Sequence, residues 1–285
     1  MKINKIFPDE NAYTKILTSV VPQPQALYYI GTLPSIRQPT LTIVGTRKPT
    51  RYGEEVTYKL AYELARKGVV IVSGLALGVD GIAHRAALDA GGTTLAVLAN
   101  GLSQITPRTH RQLALDILAA GGAIMSEYEP DMPPMQHRFL ERNRIVSGLG
   151  DGVLITEAAA RSGTLSTAAR ALEQGKEVFV VPGNITGPLS AGCNQLLRSG
   201  ATPVTCAGDI LESIMPGNSD SQIKIPLGDN EAQTTIIQLL QSGVRDGDEL
   251  QQASGLDIST YSTELTMLEI NGVVRALGAN QWTLK

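Results

Sequence analysis

The stretch LTIVGTR, residues 41–47, decides the fold of this chain. Its first four residues are mostly apolar and β-branched, which is typical of a buried parallel strand. Gly45 ends the strand, a polar turn with Arg47 follows, and Tyr52–Lys67 then carries apolar residues at helical spacing. Free N–H groups at a helix start attract anions, and a guanidinium adds donors that suit phosphate. The stretch therefore predicts a strand–turn–helix unit that holds a phosphate.

Composition narrows the class of protein. The chain has 285 residues, 42% of them hydrophobic, which is enough for two globular domains. It has no run of 18 apolar residues and no apolar segment near the N-terminus, so we expect neither a membrane span nor a secretory signal. Two cysteines, Cys193 and Cys206, are too few for a disulfide framework. These features predict a reduced, cytoplasmic protein.

Strand and helix patterns alternate between Leu41 and about Ile214. The predicted strands are Leu41–Val44, Val69–Ser73, Thr94–Leu98, Ala123–Ser126, Val153–Glu157 and Val178–Val181. The predicted helices that follow the first one are Gly78–Ala90, Arg108–Ala119, Thr164–Gln174 and Gly192–Ser199. This alternation predicts an α/β fold, an extended Rossmann-type doubly wound, mostly parallel sheet with its ligands at the carboxyl ends of the strands.

The segments before and after this alternating region complete the predicted domain organisation. Residues 1–40, rich in proline after a possible short helix at Tyr13–Val21, are predicted to be a short N-terminal extension. The Rossmann-like domain spans 41–215, and a polar Gly/Pro/Ser linker spans 216–230. Residues 231–285 suggest three helices and a hairpin, which is a winged-helix pattern.

Charge is spread unevenly along the chain. The net charge is −3 overall, but residues 216–285 hold 9 acidic and 4 basic side chains. A protein that binds a phosphate backbone needs local basic charge. The C-terminal domain is therefore predicted to have a structural or protein-binding role, although such domains often bind DNA through their third helix.

Two more turns resemble the first. Ser73–Asp80 (SGLALGVD) brings two glycines and a hydroxyl to a helix start, where Asp80 could act as the cap. Ser162, Gly163 and Thr164 open another helix. Each turn has a purely structural interpretation as a tight strand-to-helix connection, but several on one sheet edge favour an anion site.

Met135–Arg144 (MQHRFLERNR) is the most basic stretch. Three arginines and a phenylalanine suit single-stranded nucleic acid, because guanidinium groups bind phosphates and an aromatic ring stacks a base. The same stretch is equally consistent with a helix whose Phe139 packs in the core and whose arginines form surface ion pairs. Composition alone leaves both interpretations open.

Residues for catalysis or metal binding are scarce. The three histidines, His84, His110 and His137, have no metal-ligand spacing, and no His/Cys cluster exists. There is no Walker A motif and no complete GxGxxG spacing. The sequence therefore predicts no cofactor, no metal and no enzymatic activity.

Several motifs, in order, resemble the DprA/Smf family (DNA-processing protein A). They are IVGTR at 43–47, SGLALGVDGIAH at 73–84, RFLERNRIVSGL at 138–149, TEAAARSGTLSTAARALEQGKEVFVVPG at 156–183 and GCNQLLRSGA at 192–201. The resemblance implies an extended Rossmann domain that binds single-stranded DNA and helps to load RecA recombinase in natural transformation. It also implies a homodimer, with the dimer surface near 193–214.

The resemblance also implies a set of DNA- or phosphate-binding residues: Gly45, Thr46, Arg47, Ser73, Gly74, Ala76, Arg138, Phe139, Arg142, Asn143, Arg144, Ser162, Gly163 and Thr164. Arg47 and the backbone of its turn would hold a phosphate, Phe139 would contact a base, and Arg142–Arg144 would form a basic wall. The family often has a lysine where Gln136 stands, which weakens one expected phosphate contact.

Two other functions remain as alternatives. The first is a sensor for a nucleotide-like ligand, or a phosphoribohydrolase-like enzyme on the same Rossmann fold. The motif GGxGTxxE of those enzymes corresponds here to SGTLST, with Thr167 where their catalytic glutamate would stand, which argues against hydrolysis. The second alternative is an interaction scaffold that acts through the acidic winged-helix domain.

Overall fold

The computed structural model describes residues 2–216 and 230–284, and the chain divides into two compact units that correspond to these segments. The predicted linker at 216–230 lies almost entirely outside the described residues.

Within residues 2–216, nine strands form one sheet in the order β1-β2-β6-β5-β4-β3-β7-β8-β9. Strands β3 to β9, numbered along the chain, are all parallel to one another. Strand β2 pairs antiparallel with both of its neighbours, β1 and β6. The strands are β1 Asn4–Ile6, β2 Leu27–Gly31, β3 Thr40–Val44, β4 Val70–Ser73, β5 Thr94–Val97, β6 Ala123–Ser126, β7 Gly152–Ile155, β8 Glu177–Val180 and β9 Thr202–Pro203.

Seven α-helices of this unit cover both faces of the sheet. They are α1 Arg51–Arg66, α2 Val79–Asp89, α3 Arg111–Ala119, α4 Gln136–Leu149, α5 Gly163–Glu173, α6 Ala191–Arg198 and α7 Ala207–Ile214, all within residues 2–216. On one face α1, α2 and α7 bury side chains against Leu41 and Ile43 of β3. On the other face α4 and α5 pack against Val44. Both faces of the central strand are thus buried, as its mostly apolar, β-branched sequence predicts.

Strand order reverses at β3. The chain winds from β3 through β4 and β5 to β6 in one direction, then returns to β7 beside β3 and continues to β8 and β9. The predicted α/β class, the mostly parallel sheet and the predicted strands are confirmed, with strand ends shifted by at most two residues. Open sheets of this type bind ligands in the crevice where the strand order reverses.

Residues 1–40 are not a separate extension. β1 and β2 belong to the main sheet, because β2 pairs with β6 from Tyr28↔Ser126 to Gly31↔Ala123. Tyr13 and Leu17, the N-cap and a residue of the short 3-10 helix Thr14–Ser19, are fully buried in the core with residues of α4. The prediction failed because β2 forms its hydrogen bonds with a strand more than 90 residues away, and no local pattern reveals such a partner.

The second unit has the predicted helices and hairpin. They are α8 Glu231–Gln241, α9 Gly247–Ser254, α10 Ile258–Ile270, β10 Val274–Gly278 and β11 Gln281–Leu284. Ile236, Leu250 and Leu268 meet in its core. The third helix, α10, carries no lysine or arginine, in keeping with the acidic charge of this part of the chain.

Across the described residues, no helix combines the length and the apolar character that a bilayer crossing requires.

Candidate functional site

A cleft of about 800 Å³ opens at the carboxyl edge of the sheet, beside β3 and below the first turns of α4 and α5. The cleft therefore lies at the point, beside β3, where the strand order reverses. Of the predicted site residues, eleven border the cleft: Gly45, Thr46, Arg47, Gly74, Ala76, Phe139, Arg142, Asn143, Ser162, Gly163 and Thr164. Ser73, Arg138 and Arg144 do not.

Arg47 is an exposed cation at the wall of this cleft. Its guanidinium carbon lies 5.6 Å from the centroid of the Phe139 ring, and no acceptor in the described residues holds it. The turn beneath it is fixed, because the Thr46 N–H donates to the Glu157 carbonyl (2.8 Å) and the Thr46 carbonyl accepts from the Val79 N–H (3.2 Å). A free guanidinium on a rigid turn is ready to bind a phosphate.

The start of α1, predicted to be a phosphate seat, already holds an anion of the protein itself. The buried carboxylate of Glu157 accepts from the Thr50 N–H (2.8 Å) and the Thr50 hydroxyl (2.5 Å). The Thr50 hydroxyl in turn accepts from the Gly53 N–H (3.1 Å) as the N-cap. These donors are therefore not available to a ligand.

The turn after β4 is filled in the same way. Asp80, buried at the start of α2, accepts from the N–H groups of Gly74 (3.1 Å) and Ala76 (3.3 Å). It is not the N-cap, a position that Gly78 occupies with φ of 75°. Ser73 is fully buried and donates to the Ile43 carbonyl (2.6 Å), so the prediction that it lines the pocket is not met.

Arg142 lines the cleft but is only 6% exposed. Its Nη1 donates to the Gly74 carbonyl (2.8 Å) and to the Val97 carbonyl, so it ties α4 to the carboxyl ends of β4 and β5. Burial lowers the pKa of Arg142, and the nearby Asp80 carboxylate acts in the opposite direction. Its Nε is buried and has no hydrogen-bond partner in the described residues.

Of the three predicted arginines of α4, Arg142 and Arg144 lie on different sides of the helix. Residues two apart project about 200° from each other, so Arg142 and Arg144 cannot face the same cleft. Arg144 is buried in an ion pair with Glu127, which follows β6. Desolvation raises the pKa of Glu127, although Arg144 counteracts it.

Arg138 stabilises the loop before α4. It donates to the Pro133 carbonyl (2.5 Å), and its guanidinium carbon lies 5.0 Å from the Tyr128 ring centroid. Phe139, Asn143 and Val146, spaced three or four residues apart, instead form the helix face that lines the cleft. The predicted basic wall of Arg142–Arg144 is thus a single arginine with Asn143, whose amide has no partner in the described part of the chain.

The far side of the cleft is the start of α5. Ser162 is its N-cap and accepts from the Thr164 N–H (3.2 Å), while the Thr164 hydroxyl donates to the Gly45 carbonyl (3.0 Å). Arg161, exposed and bordering the cleft, was not among the predicted site residues. Its position just before a predicted helix could have indicated a role in the site, because a cation there adds to the attraction of the helix start for an anion.

The residues that could act in catalysis or bind a metal lie apart from one another in the described part of the chain. Within residues 2–216 and 230–284, no three His, Cys, Asp or Glu side chains cluster as metal ligands. His84 is fully buried, and burial lowers its pKa to about 3. Cys193 is buried, and desolvation raises its pKa to about 11, whereas Cys206 is exposed.

Fold and cleft together define a class of protein: a doubly wound α/β domain with a basic ligand cleft at its strand-reversal edge, followed by a winged-helix unit. The family model described as DNA recombination-mediator protein A matches residues 4–215, and that of the DprA winged helix domain matches residues 225–280. The chain belongs to the DNA recombination-mediator protein A family, and the resemblance noted in the sequence is confirmed.

Relatives support this assignment over most of the chain. Protein Smf of Escherichia coli K12 is 39% identical over 281 residues, which cover 94% of this chain and 74% of that protein. DNA processing protein DprA of Bacillus subtilis 168 is 42% identical over 217 residues, covering 76% and 73%.

Solved structures show the same fold. DNA processing protein A from Streptococcus pneumoniae superposes with a TM-score of 0.69 at 37% identity, covering 75% of each chain. The protein from Helicobacter pylori, described for its single-stranded DNA binding mode, gives a TM-score of 0.65 at 34% identity, covering 74% of this chain and 95% of that one.

Proposed function

We propose that this protein binds single-stranded DNA in the cleft beside β3 and acts as a mediator of recombination during DNA uptake. The observation that carries the proposal is the free, exposed Arg47 guanidinium beside the Phe139 ring. A cation for the phosphate next to an aromatic ring for the base is the combination that binds a single strand. The Helicobacter pylori relative, described as binding single-stranded DNA, supports the same ligand.

The remaining cleft groups suit a nucleotide chain better than an isolated phosphate. Asn143 offers an amide with free donors and acceptor, and Arg161 adds a second exposed cation on the opposite side of the cleft. The first turn of α4 has no side-chain cap and begins with Gln136, which borders the cleft. The Arg138 N–H donates to the Met135 carbonyl (3.0 Å), and the N–H groups of Gln136 and His137 remain as donors for a phosphate oxygen.

The partners of this function follow as part of the proposal. The name of the matched family, DNA recombination-mediator protein A, supports RecA recombinase as the protein that receives the DNA. A homodimer formed near residues 193–214, in the segment that contains α6 and α7, would place two clefts in one assembly. The place of action would then be the cytoplasm, where RecA and incoming DNA meet.

Substitution of Arg47 by alanine tests the binding site. We expect Arg47→Ala to weaken binding of single-stranded oligonucleotides about tenfold, equally for all sequences, because one phosphate contact is lost. The slope of log affinity against log salt should decrease by about one unit, since fewer counterions are released. Fluorescence anisotropy at several salt concentrations measures both quantities.

Arg66→Ala is the matched control. Arg66 is also exposed, but it lies at the other end of α1, about 22 Å from the start of that helix. The control should change neither affinity nor salt slope. If Arg47→Ala behaves like Arg66→Ala, or if double-stranded oligonucleotides bind as tightly as single-stranded ones, the cleft is not the proposed site.

A further inference from the structure

A second cavity, of about 670 Å³, lies beside Thr50, the N-cap of α1. It is bordered by the start of α1 and by the loop between β8 and α6. The lining includes Thr50, Tyr52, Glu157, Pro182, Leu189 and Ser190. None of these residues borders the first cleft. The cavity is therefore separate from the site already described.

The first polar group of this cavity is the carboxylate of Glu157. It is 3% exposed and is held in place by two hydrogen bonds from Thr50. Gly53 is required beside it, because a Cβ at that position would lie 2.2 Å from Oε2. Each carboxylate oxygen can accept a second hydrogen bond. Glu157 is thus a rigid acceptor that can receive an N–H from a ligand in the cavity.

The second polar group is the hydroxyl of Ser190. The residue is 8% exposed, and its Oγ has no hydrogen-bond partner among the described residues. Gly183 and Gly187 make room for it, since a Cβ on either would lie 2.3 Å and 2.9 Å from that oxygen. The Ser190 hydroxyl is accessible to solvent and is free to form a hydrogen bond. It can donate to a ring nitrogen or carbonyl oxygen.

The third feature is an aromatic wall. Tyr52 is 48% exposed, which is notable in a chain with only 4% aromatic residues. Its hydroxyl donates to the Pro182 carbonyl (3.0 Å), so the ring is fixed between α1 and the loop after β8. Pro188 and Leu189 add apolar surface. A fixed ring with an apolar surround is a stacking surface for a planar ligand.

We propose that this cavity binds a nucleobase that carries an exocyclic amino group, such as cytosine or adenine. The amino group donates to Glu157, the neighbouring ring nitrogen accepts from Ser190, and the base stacks on Tyr52. Uracil and thymine present a carbonyl oxygen where the amino group would be, and a carboxylate disfavours that oxygen. The base has two possible sources: a free nucleoside or nucleotide, and a base of a bound DNA strand.

The first arm of the test uses free nucleosides with the full-length protein. Deoxycytidine and deoxyuridine form a matched pair that differs in the amino group and the protonation of the adjacent ring nitrogen. We expect deoxycytidine to bind about tenfold more tightly in calorimetric titration, the discrimination that one base-edge pair provides. Tyr52→Ser should weaken deoxycytidine binding about tenfold through lost stacking. Tyr58→Ser, on the same helix and 40% exposed, is the control and should have no effect.

The second arm uses oligo-dC and oligo-dU of equal length. A preference for oligo-dC that Tyr52→Ser abolishes identifies a base of the strand as the ligand, and a preference in the first arm alone identifies a free nucleoside. Equal binding of both members in both arms, or a preference that survives Tyr52→Ser, overturns the proposal. The second arm rests on the proposed function, but the nucleoside arm does not: it can succeed even if Arg47→Ala leaves DNA binding intact.

Discussion

Three arginines of the predicted site differ in burial, and burial decides what each one does. Arg47 is exposed and free of protein acceptors in the described part of the chain. Arg142 and Arg144 are 6% and 7% exposed and hold α4 against the sheet through Gly74 and Glu127. A guanidinium whose donors are already engaged contributes to stability first and to ligand binding second.

Arg144→Met should therefore destabilise the fold and leave DNA binding unchanged. The substitution leaves the Glu127 carboxylate largely buried without its partner, and breaking such a pair costs about 3 kcal/mol. Denaturant unfolding measures the loss. Adding Glu127→Gln should restore part of it, because the unpaired charge is removed. A folded Arg144→Met protein that binds DNA as weakly as Arg47→Ala would contradict this assignment.

His84 makes stability depend on pH. Its Nδ1–H donates to the Thr94 hydroxyl (2.7 Å), since that hydroxyl already donates to the Ile71 carbonyl (2.8 Å), and its Nε2 has no partner in the described residues. Burial lowers the pKa from 6.5 to about 3. As pH falls below 6.5 the unfolded state takes up a proton and the native state does not, so native stability decreases.

Near pH 5 this effect amounts to about 2 kcal/mol. We expect the free energy of unfolding to decline between pH 6.5 and about pH 5 in the unmodified protein, and His84→Asn to flatten this decline, whatever its baseline stability. His137→Asn, at an exposed position, should keep the slope. Parallel slopes for the protein and His84→Asn would show that another group is responsible.

At the scale of elements, the sequence predicted the parallel strands and their turns because each is a local pattern. It did not predict that carboxylates of the chain itself would accept the hydrogen bonds that the turns offer. Glu157 occupies the start of α1, and Asp80 occupies the turn after β4, so two of the predicted phosphate seats hold carboxylates of the chain. A glycine-rich turn shows that close approach is possible, but not which group approaches.

The basic stretch on α4 shows a similar limit. Helical spacing from Phe139 would have placed Asn143 on the cleft face and Arg144 away from it. That spacing could be applied only once the stretch was known to be helical throughout, and composition left this open. The partner of Arg144, Glu127, lies on another element, which only the tertiary fold reveals.

The entry to α2 links an element boundary to the binding site. Gly78 has φ of 75° and ψ of −128°, and a Cβ there would lie 2.4 Å from the Thr46 carbonyl oxygen and 2.6 Å from the Arg47 carbonyl carbon. Gly78→Ala should cost about 1–3 kcal/mol in backbone strain and also displace the Arg47 turn. We expect both the free energy of unfolding and single-stranded DNA affinity to decrease.

Gly91→Ala separates the two effects. Gly91, just after the other end of α2, has φ of 68°, but a Cβ there meets no atom within 4 Å. It should lower stability and leave affinity unchanged. Equal DNA affinity for Gly78→Ala and Gly91→Ala would mean that the close packing of Gly78 against the Arg47 turn does not position Arg47.

At the scale of the whole molecule, the cleft residues lie in the first compact unit and the acidic charge lies in the second. A chain that ends after Pro216 should therefore bind single-stranded DNA at least as tightly as the full chain, with the same salt slope. Anisotropy titrations of the two proteins compare these values. A tenfold loss of affinity in a truncated protein that still unfolds cooperatively would place part of the DNA site in the winged-helix unit.

The pairing of β2 with β6 has a consequence for how the protein is made. Synthesis proceeds from the N-terminus, so Leu27–Gly31 leaves the ribosome long before Ala123–Ser126, the strand on which it docks. Until then β1 and β2 have no sheet to join, and the central strand β3 lacks its neighbour β7 for longer still. The nascent chain must carry these segments unpaired while about 90 further residues are synthesised, which makes them natural targets for chaperones.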